Sequence, residues 1–348
     1  MKNFRFSFIF SVFCLALASY WGFSKGGWSA LFSALMVTSV LAIMEISLSF
    51  DNAIINASVL KNWNDFWQKA FLMIGIFIAV FGMRLLFPIL IVSCTTGLGF
   101  EHVIDLALYN PEQYSAHLIA HHGEVAAFGG MFLLLVFLNF MFDEEKETHW
   151  FNWIEKRCVA LAKVDAAAVF IAIAILLLAL HWVNSTEKLQ ILIAGIAGIL
   201  VYLGVGILSD MLDSTEDNNE NATKAIMKGS IMSFIYLEIL DASFSFDGVI
   251  GAFAITNDVV IIMLGLAIGA IFVRSLTIFL VEKGTLNSYI YLEHGAHYAI
   301  GSLALIMLLS IRIHISEVIV GLLGVAFILW SVVSSIREKQ ISSTESLS

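Results

Sequence analysis

Apolar runs long enough to cross a bilayer follow one another along nearly the whole chain, at 4–23, 30–59, 69–94, 117–141, 160–182, 188–210, 228–255, 259–281, 291–310 and 315–336. A membrane helix needs about 20 predominantly apolar residues, because in lipid every backbone polar group must be satisfied within the segment or within a closed barrel. Barrel strands are shorter and alternate in polarity, and these runs do not. The expected fold is an all-α polytopic membrane protein, a helical bundle of about nine or ten transmembrane helices. Composition agrees, with 59% hydrophobic and 13% charged residues; an ordinary soluble domain carries about a quarter charged. The first run admits two readings. Behind Lys2 and Arg5 it reads as a signal peptide or a first spanning helix, and the lack of a small-x-small cleavage site favours the helix.

The chain divides into an N-terminal helix or signal-like segment (1–27), a first half with extra helices (28–212), a polar linker (213–225), a second half (226–337) and a polar tail expected to be disordered (338–348). Positive charge sets orientation. With the N-terminus cytoplasmic, Lys61, Lys69, Lys146, Lys156, Arg157, Lys224, Lys283 and Arg337 all fall on the cytoplasmic side, and both termini are predicted cytoplasmic. The partners this implies are a lipid bilayer and the solutes that cross it. The net charge of -10 comes with no basic stripe, so no nucleic acid is expected.

Two polar stretches stand where membrane helices are ordinarily greasy. Glu45 to Ala57 reads EISLSFDNAIINA, and Asp241 to Phe253 reads DASFSFDGVIGAF. Ser-Phe-Asp recurs, and a carboxylate stands six residues before each Asp. The likeness continues into Gly75 to Leu90 and Gly265 to Leu280, where Arg84 and Arg274 match, and His122-Gly123 and His294-Gly295 each open a later run. Five reversals separate the two signatures, so the matched helices are expected to run antiparallel, as in inverted-repeat transporters.

An ionised carboxylate inside the membrane is costly and reads as functional. On an unbroken helix Glu45 and Asp51 point well apart, since six residues turn through about 600°. A break at each Ser-Phe-Asp would let both carboxylates line one cavity, so broken signature helices are expected. The candidate metal ligands are Glu45, Asp51, Asn52, Asn56, Glu238, Asp241 and Asp247. Such oxygen donors suit a hard divalent cation, Mn²⁺, Mg²⁺ or Ca²⁺, and disfavour copper or thiolate zinc sites. Arg84 and Arg274 would compensate charge or gate, and crowded carboxylates could exchange metal for protons. His122 and His294 are candidate pathway residues. No nucleotide loop, metalloprotease motif or nucleophile elbow is present, and no enzymatic activity is expected.

With these motifs, residues 30–336 resemble the TerC family of integral membrane proteins, in the branch long catalogued as an uncharacterised integral membrane domain, within the wider superfamily of the amino-acid exporter LysE and cation exchangers. The resemblance implies a bacterial cytoplasmic (inner) membrane protein that exports a divalent metal cation, with Mn²⁺ favoured and Ca²⁺, Mg²⁺ or Zn²⁺ open, and with the acidic positions at Glu45, Asp51, Asp241 and Asp247. Gly248 departs from the Asn52 of the first half, and Glu238 is an additional carboxylate. A membrane-embedded enzyme or assembly factor using the acidic cluster, and a divalent-cation channel, remain the alternatives. A homo-oligomer is compatible with the sequence.

Overall fold

The first helix, α1 (Arg5–Leu48), has 44 residues, about twice what a bilayer requires, and it folds back on itself. At the bend Gly27 has φ 66° and ψ −149°, a conformation open to glycine and closed to other residues. The two arms then lie side by side: a Cβ on Gly22 would stand 2.7 Å from that of Ala34. In this computed structural model the described residues are 4–143, 146, 148–162, 166–213, 230–283, 289–313 and 315–345. The polar linker lies largely outside them, as do Asp165 and His314.

After α1 come α2 (Phe50–Leu60), α3 (Asp65–Phe77), a π-helical stretch (Ile78–Leu86), α4 (Phe87–Thr96), α5 (Phe100–Tyr109), α6 (Pro111–Ala120) and α7 (His122–Phe142). The chain continues with α8 (Asn152–Ala162), α9 (Ala167–His181), α10 (Lys188–Asp213), α11 (Ile231–Ile255), α12 (Val259–Lys283), α13 (Leu292–Ser310) and α14 (Glu317–Glu345). All regular elements among the described residues are helical. Seven helical runs there are long and apolar enough to cross a membrane, so the chain is a multi-pass membrane bundle. The difference from the expected nine or ten has identifiable sources. The bent α1 counts once, α9 has only 15 residues, and α11 carries Glu238, Asp241 and Asp247. α14 runs on to Glu345, through most of the stretch expected to be disordered.

Among the described residues, α7 and α12 run through the interior, with the buried α2 and α13 beside them. α7 is apolar on every side and buried among α10, α11 and α13, while α12 is buried against α1, α2 and the π-helical stretch. A helix hydrophobic all round belongs in such a position. The outward faces of α1, α10 and α14 present large apolar side chains, among them Phe8, Met36, Ile193, Leu200 and Leu322, as a lipid-facing surface requires.

Polar contacts group the chain reversals into two ends. At one, Asp258 accepts from Trp21 Nε1 at 2.9 Å and pairs with Lys25 at 3.4 Å. At the other, Lys61 pairs with Glu293 at 3.4 Å, and the Tyr291 N–H donates to Ser335 Oγ at 2.9 Å. We refer to these as the Asp258 end and the Glu293 end.

The two signatures behave differently. The first is interrupted: Ser49, at φ −100° and ψ 17°, separates α1 from α2. The second is not, because α11 is helical from Ile231 to Ile255. The expectation of a break at Asp247 is therefore corrected. Gly248 permits a break, but the helix keeps its hydrogen bonds there, and the missing side chain serves packing instead. The π-helical stretch was not anticipated. Pro88 stands in the first turn of α4; it has no N–H, and its ring crowds the carbonyl of Arg84 four residues back. The helix widens ahead of it, with the Phe87 N–H bonding the Gly82 carbonyl five residues back.

Candidate functional site

Glu45 lies one turn before the Ser49 break and is buried. Its carboxylate pairs with the Arg84 guanidinium and accepts from Ser49 Oγ at 2.9 Å. Arg84 also donates to the Ala79 carbonyl inside the π-helical stretch. On the other side of the crossing, Asn52 Nδ2 donates to Asp241 Oδ1 at 2.6 Å. Arg274 Nη2 stands 3.4 Å from Glu238 Oε1 and 4.0 Å from Asp241 Oδ2. Its guanidinium lies over the Phe71 ring, 3.8 Å from the centroid, so part of its charge is met by a π face.

These contacts fix how the signature segments meet. A Cβ on Gly248 would stand 2.8 Å from Glu45 Oε2, so residue 45 faces residue 248 while residue 52 faces residue 241. The segments therefore run antiparallel where they touch. In the sequence match Glu45 corresponds to Asp241 and Asn52 to Gly248, so one contact is made twice with different side chains. The longer acid, Glu45, reaches across and needs a glycine opposite. The shorter acid, Asp241, is met by an asparagine that reaches toward it. This explains the departure at Gly248.

Asp51 is on another face of α2. Its Oδ1 accepts from the Asn52 N–H at 3.0 Å, and its carboxylate lines a cavity of ≈ 210 Å³ together with Glu45, Ser49, Gly248 and Ser302. Gly324 on α14 faces Asp51, since a Cβ there would lie 3.5 Å from Asp51 Oδ2. His122 and Ser310 line the same cavity, which leads from the signature crossing toward the Asp258 end.

The seven candidate ligands thus do not form one ring. Asp51 faces the cavity, Glu45 is held by Arg84, and Asn52, Asp241 and Glu238 gather around Arg274. The side chain of Asp247 lies outside the described residues. Neighbouring residues on a helix point about 100° apart, which sends Asp51 and Asn52 to different neighbours. Among the described residues no three His, Cys, Asp or Glu side chains converge as a metal site. What the centre does have is a charge excess. Among the described side chains, Glu45, Asp51, Glu238 and Asp241 are buried with Arg84 and Arg274, two more carboxylates than guanidiniums.

The two histidines fall at opposite ends. His294 belongs to a cluster at the Glu293 end whose hub is Glu155, which is not among the candidate residues above. Glu155 is fully buried. It pairs with Lys146 at 3.3 Å, His149 at 3.3 Å and His294 at 3.5 Å. It also accepts from the Trp150 and Phe151 N–H groups and the Tyr298 hydroxyl, each at 3.2 Å. His294 Nε2 is 2.9 Å from the Thr148 carbonyl. Only the acid's place between Trp153 and Lys156 is visible in sequence, and nothing in it signals a hub.

Burial pushes the Glu155 carboxyl up, but the His294 hydrogen bond, Lys146 and the Phe151 N–H outweigh it and bring it down to about 2. A depressed carboxylate contributes stability that is present above its unfolded pKa of about 4.3 and is lost as pH falls toward the folded value. In acid titration of the purified protein, stability is expected to fall between about pH 5 and pH 2, and E155Q is expected to lack that component. An unchanged acid limb in E155Q would show that the hub does not contribute.

A family model described as "Protein of unknown function (DUF475)" matches residues 50–342. No curated protein and no solved structure matches the chain.

Proposed function

From the premise that this chain belongs to the DUF475 family, we propose that it is a secondary transporter that exports a divalent metal cation, Mn²⁺ the leading candidate, in exchange for protons. The observation that carries the reading is the signature crossing. Two antiparallel acidic segments bury four carboxylates with two guanidiniums beside a cavity that Asp51 lines. Intramembrane charges of this kind are costly and persist where ions move. An excess of two negative charges can be met by one divalent cation or by two protons, and competition between them is what an exchanger needs. The oxygen donors of Asp51, Glu45 and Ser49 suit a hard cation arriving through the cavity.

The same crossing supports an inverted repeat. Counting both arms of α1, the short α9 and the charged α11 as spans gives ten crossings, with both termini on the Glu293 side. The positive-inside distribution makes that side cytoplasmic. The cavity then faces away from the cytoplasm, as it would in the releasing state of an exporter. The resemblance to TerC proteins and to the LysE and cation-exchanger superfamily points the same way.

The test is flux in proteoliposomes, comparing Mn²⁺, Ca²⁺, Mg²⁺ and Zn²⁺ with and without a pH gradient. Mn²⁺ flux stimulated by an opposing proton gradient is expected. In the D51N/D247N double variant it should fall at least tenfold. Equal flux from the variant and the wild type would remove the signature carboxylates from the mechanism.

A further inference from the structure

We propose that Asn52, Asn56, Glu238 and Asp241 form a second cation position, separate from the Asp51 cavity and offering only oxygen donors. All four side chains are more than nine-tenths buried, and each has one oxygen without a hydrogen-bond donor: Asn52 Oδ1, Asn56 Oδ1, Glu238 Oε2 and Asp241 Oδ2. Buried acceptors are ordinarily satisfied. Four unmet acceptors lie along the two facing helix faces, two of them on carboxylates, against one unmet donor beside them, Arg274 Nη1, so acceptors outnumber the donors available to them.

The placement is specific. Asn52 and Asn56 are four residues apart on one face of α2, and Glu238 and Asp241 three apart on one face of α11. The Asn52–Asp241 contact of 2.6 Å joins the two faces. Because the segments run antiparallel, Asn56 continues from Asn52 in the direction in which Glu238 continues from Asp241. The four residues therefore follow the crossing toward the Glu293 end, while the cavity departs from it toward the Asp258 end. Arg274 serves both carboxylates but gives close contact to only one oxygen of Glu238, at 3.4 Å. Carboxylate and amide oxygens with no thiol or imidazole among them fit Mn²⁺, Mg²⁺ or Ca²⁺.

The cluster is also one-sided. Counted from the matched Asp51 and Asp247, the counterparts of Asn56 and Glu238 are Ala252 and Ala42, both buried. Oxygen donors were thus placed on one side of an otherwise matched crossing and methyl groups on the other. Under the transporter reading, on which its role but not its existence rests, this is the position a cation occupies between the Glu293 end and Asp51.

Mn²⁺ binding to the purified full chain, followed by equilibrium dialysis and by loss of the free-ion electron paramagnetic resonance signal, tests this. Two ions per chain are expected in the wild type. D51N should lose one and retain the other. N56L and E238Q should weaken the retained one at least tenfold, and N56D, nearly isosteric and with an added charge, should tighten it. One ion per chain that D51N abolishes would overturn the second position while leaving transport intact. So would two ions whose affinities N56L, E238Q and N56D all leave unchanged. Two ions bound in a protein with no flux in proteoliposomes would uphold the position and overturn the transport reading.

Discussion

R84M is expected to destabilise the protein by about 3–5 kcal/mol, because it strips the partner from a buried carboxylate. The Glu45 and Arg84 side chains are 2% and 3% exposed. Removing both charges is different from removing one: a buried ion pair replaced as a unit is often close to neutral. The double variant E45Q/R84M should therefore recover most of the lost stability. Thermal or denaturant unfolding of the four proteins in one detergent gives the coupling directly. Additive losses would mean that the two side chains do not act as a pair. Recovery of folding should not bring recovery of transport, since Glu45 also lines the cavity.

G248V is the second large effect. A Cβ at position 248 would stand 2.8 Å from Glu45 Oε2. The end of a free glutamate could swing aside, but this one is paired with Arg84, and its stem is packed on Gly269, where a Cβ would fall 2.4 Å from Glu45 Cβ and Cγ. Overpacking of this kind costs about 1–3 kcal/mol. It would also distort the crossing, so metal flux in proteoliposomes is expected to drop at least tenfold. E45D shortens the acid by one methylene and should restore part of both stability and flux in the G248V background. If G248V transports like the wild type, the Glu45–Gly248 approach does not matter to the crossing.

Much of this was legible in the residues. The apolar runs identified a helical membrane bundle because lipid permits so few backbone arrangements. The duplicated segments and the arginines after them include Glu45, Asp51, Asp241, Arg84 and Arg274, each of which the fold buries. A charge in an apolar run is rare enough to stand out without any alignment. Local patterning was weaker on backbone detail. It expected two broken helices where one is broken, and it left unused the proline that widens the helix carrying Arg84. The Glu155 hub was illegible. Its partners come from the segment around Lys146 and His149 and from α13, and an acid in a charged surface tract looks the same whether it meets water or three basic side chains.

The sequence by itself determined the solvent of this protein, its helical class and the matched acidic and basic positions, because hydropathy and repetition are properties of the chain alone. Only the tertiary structure decided which charge meets which: Glu45 with Arg84, Asp241 with Asn52 and Arg274, Asp51 with a cavity. Those pairings depend on the register and rotation of two helices from distant parts of the chain. Register is set by what must fit at the crossing, a long acid against a glycine on one side and a short acid against an amide on the other.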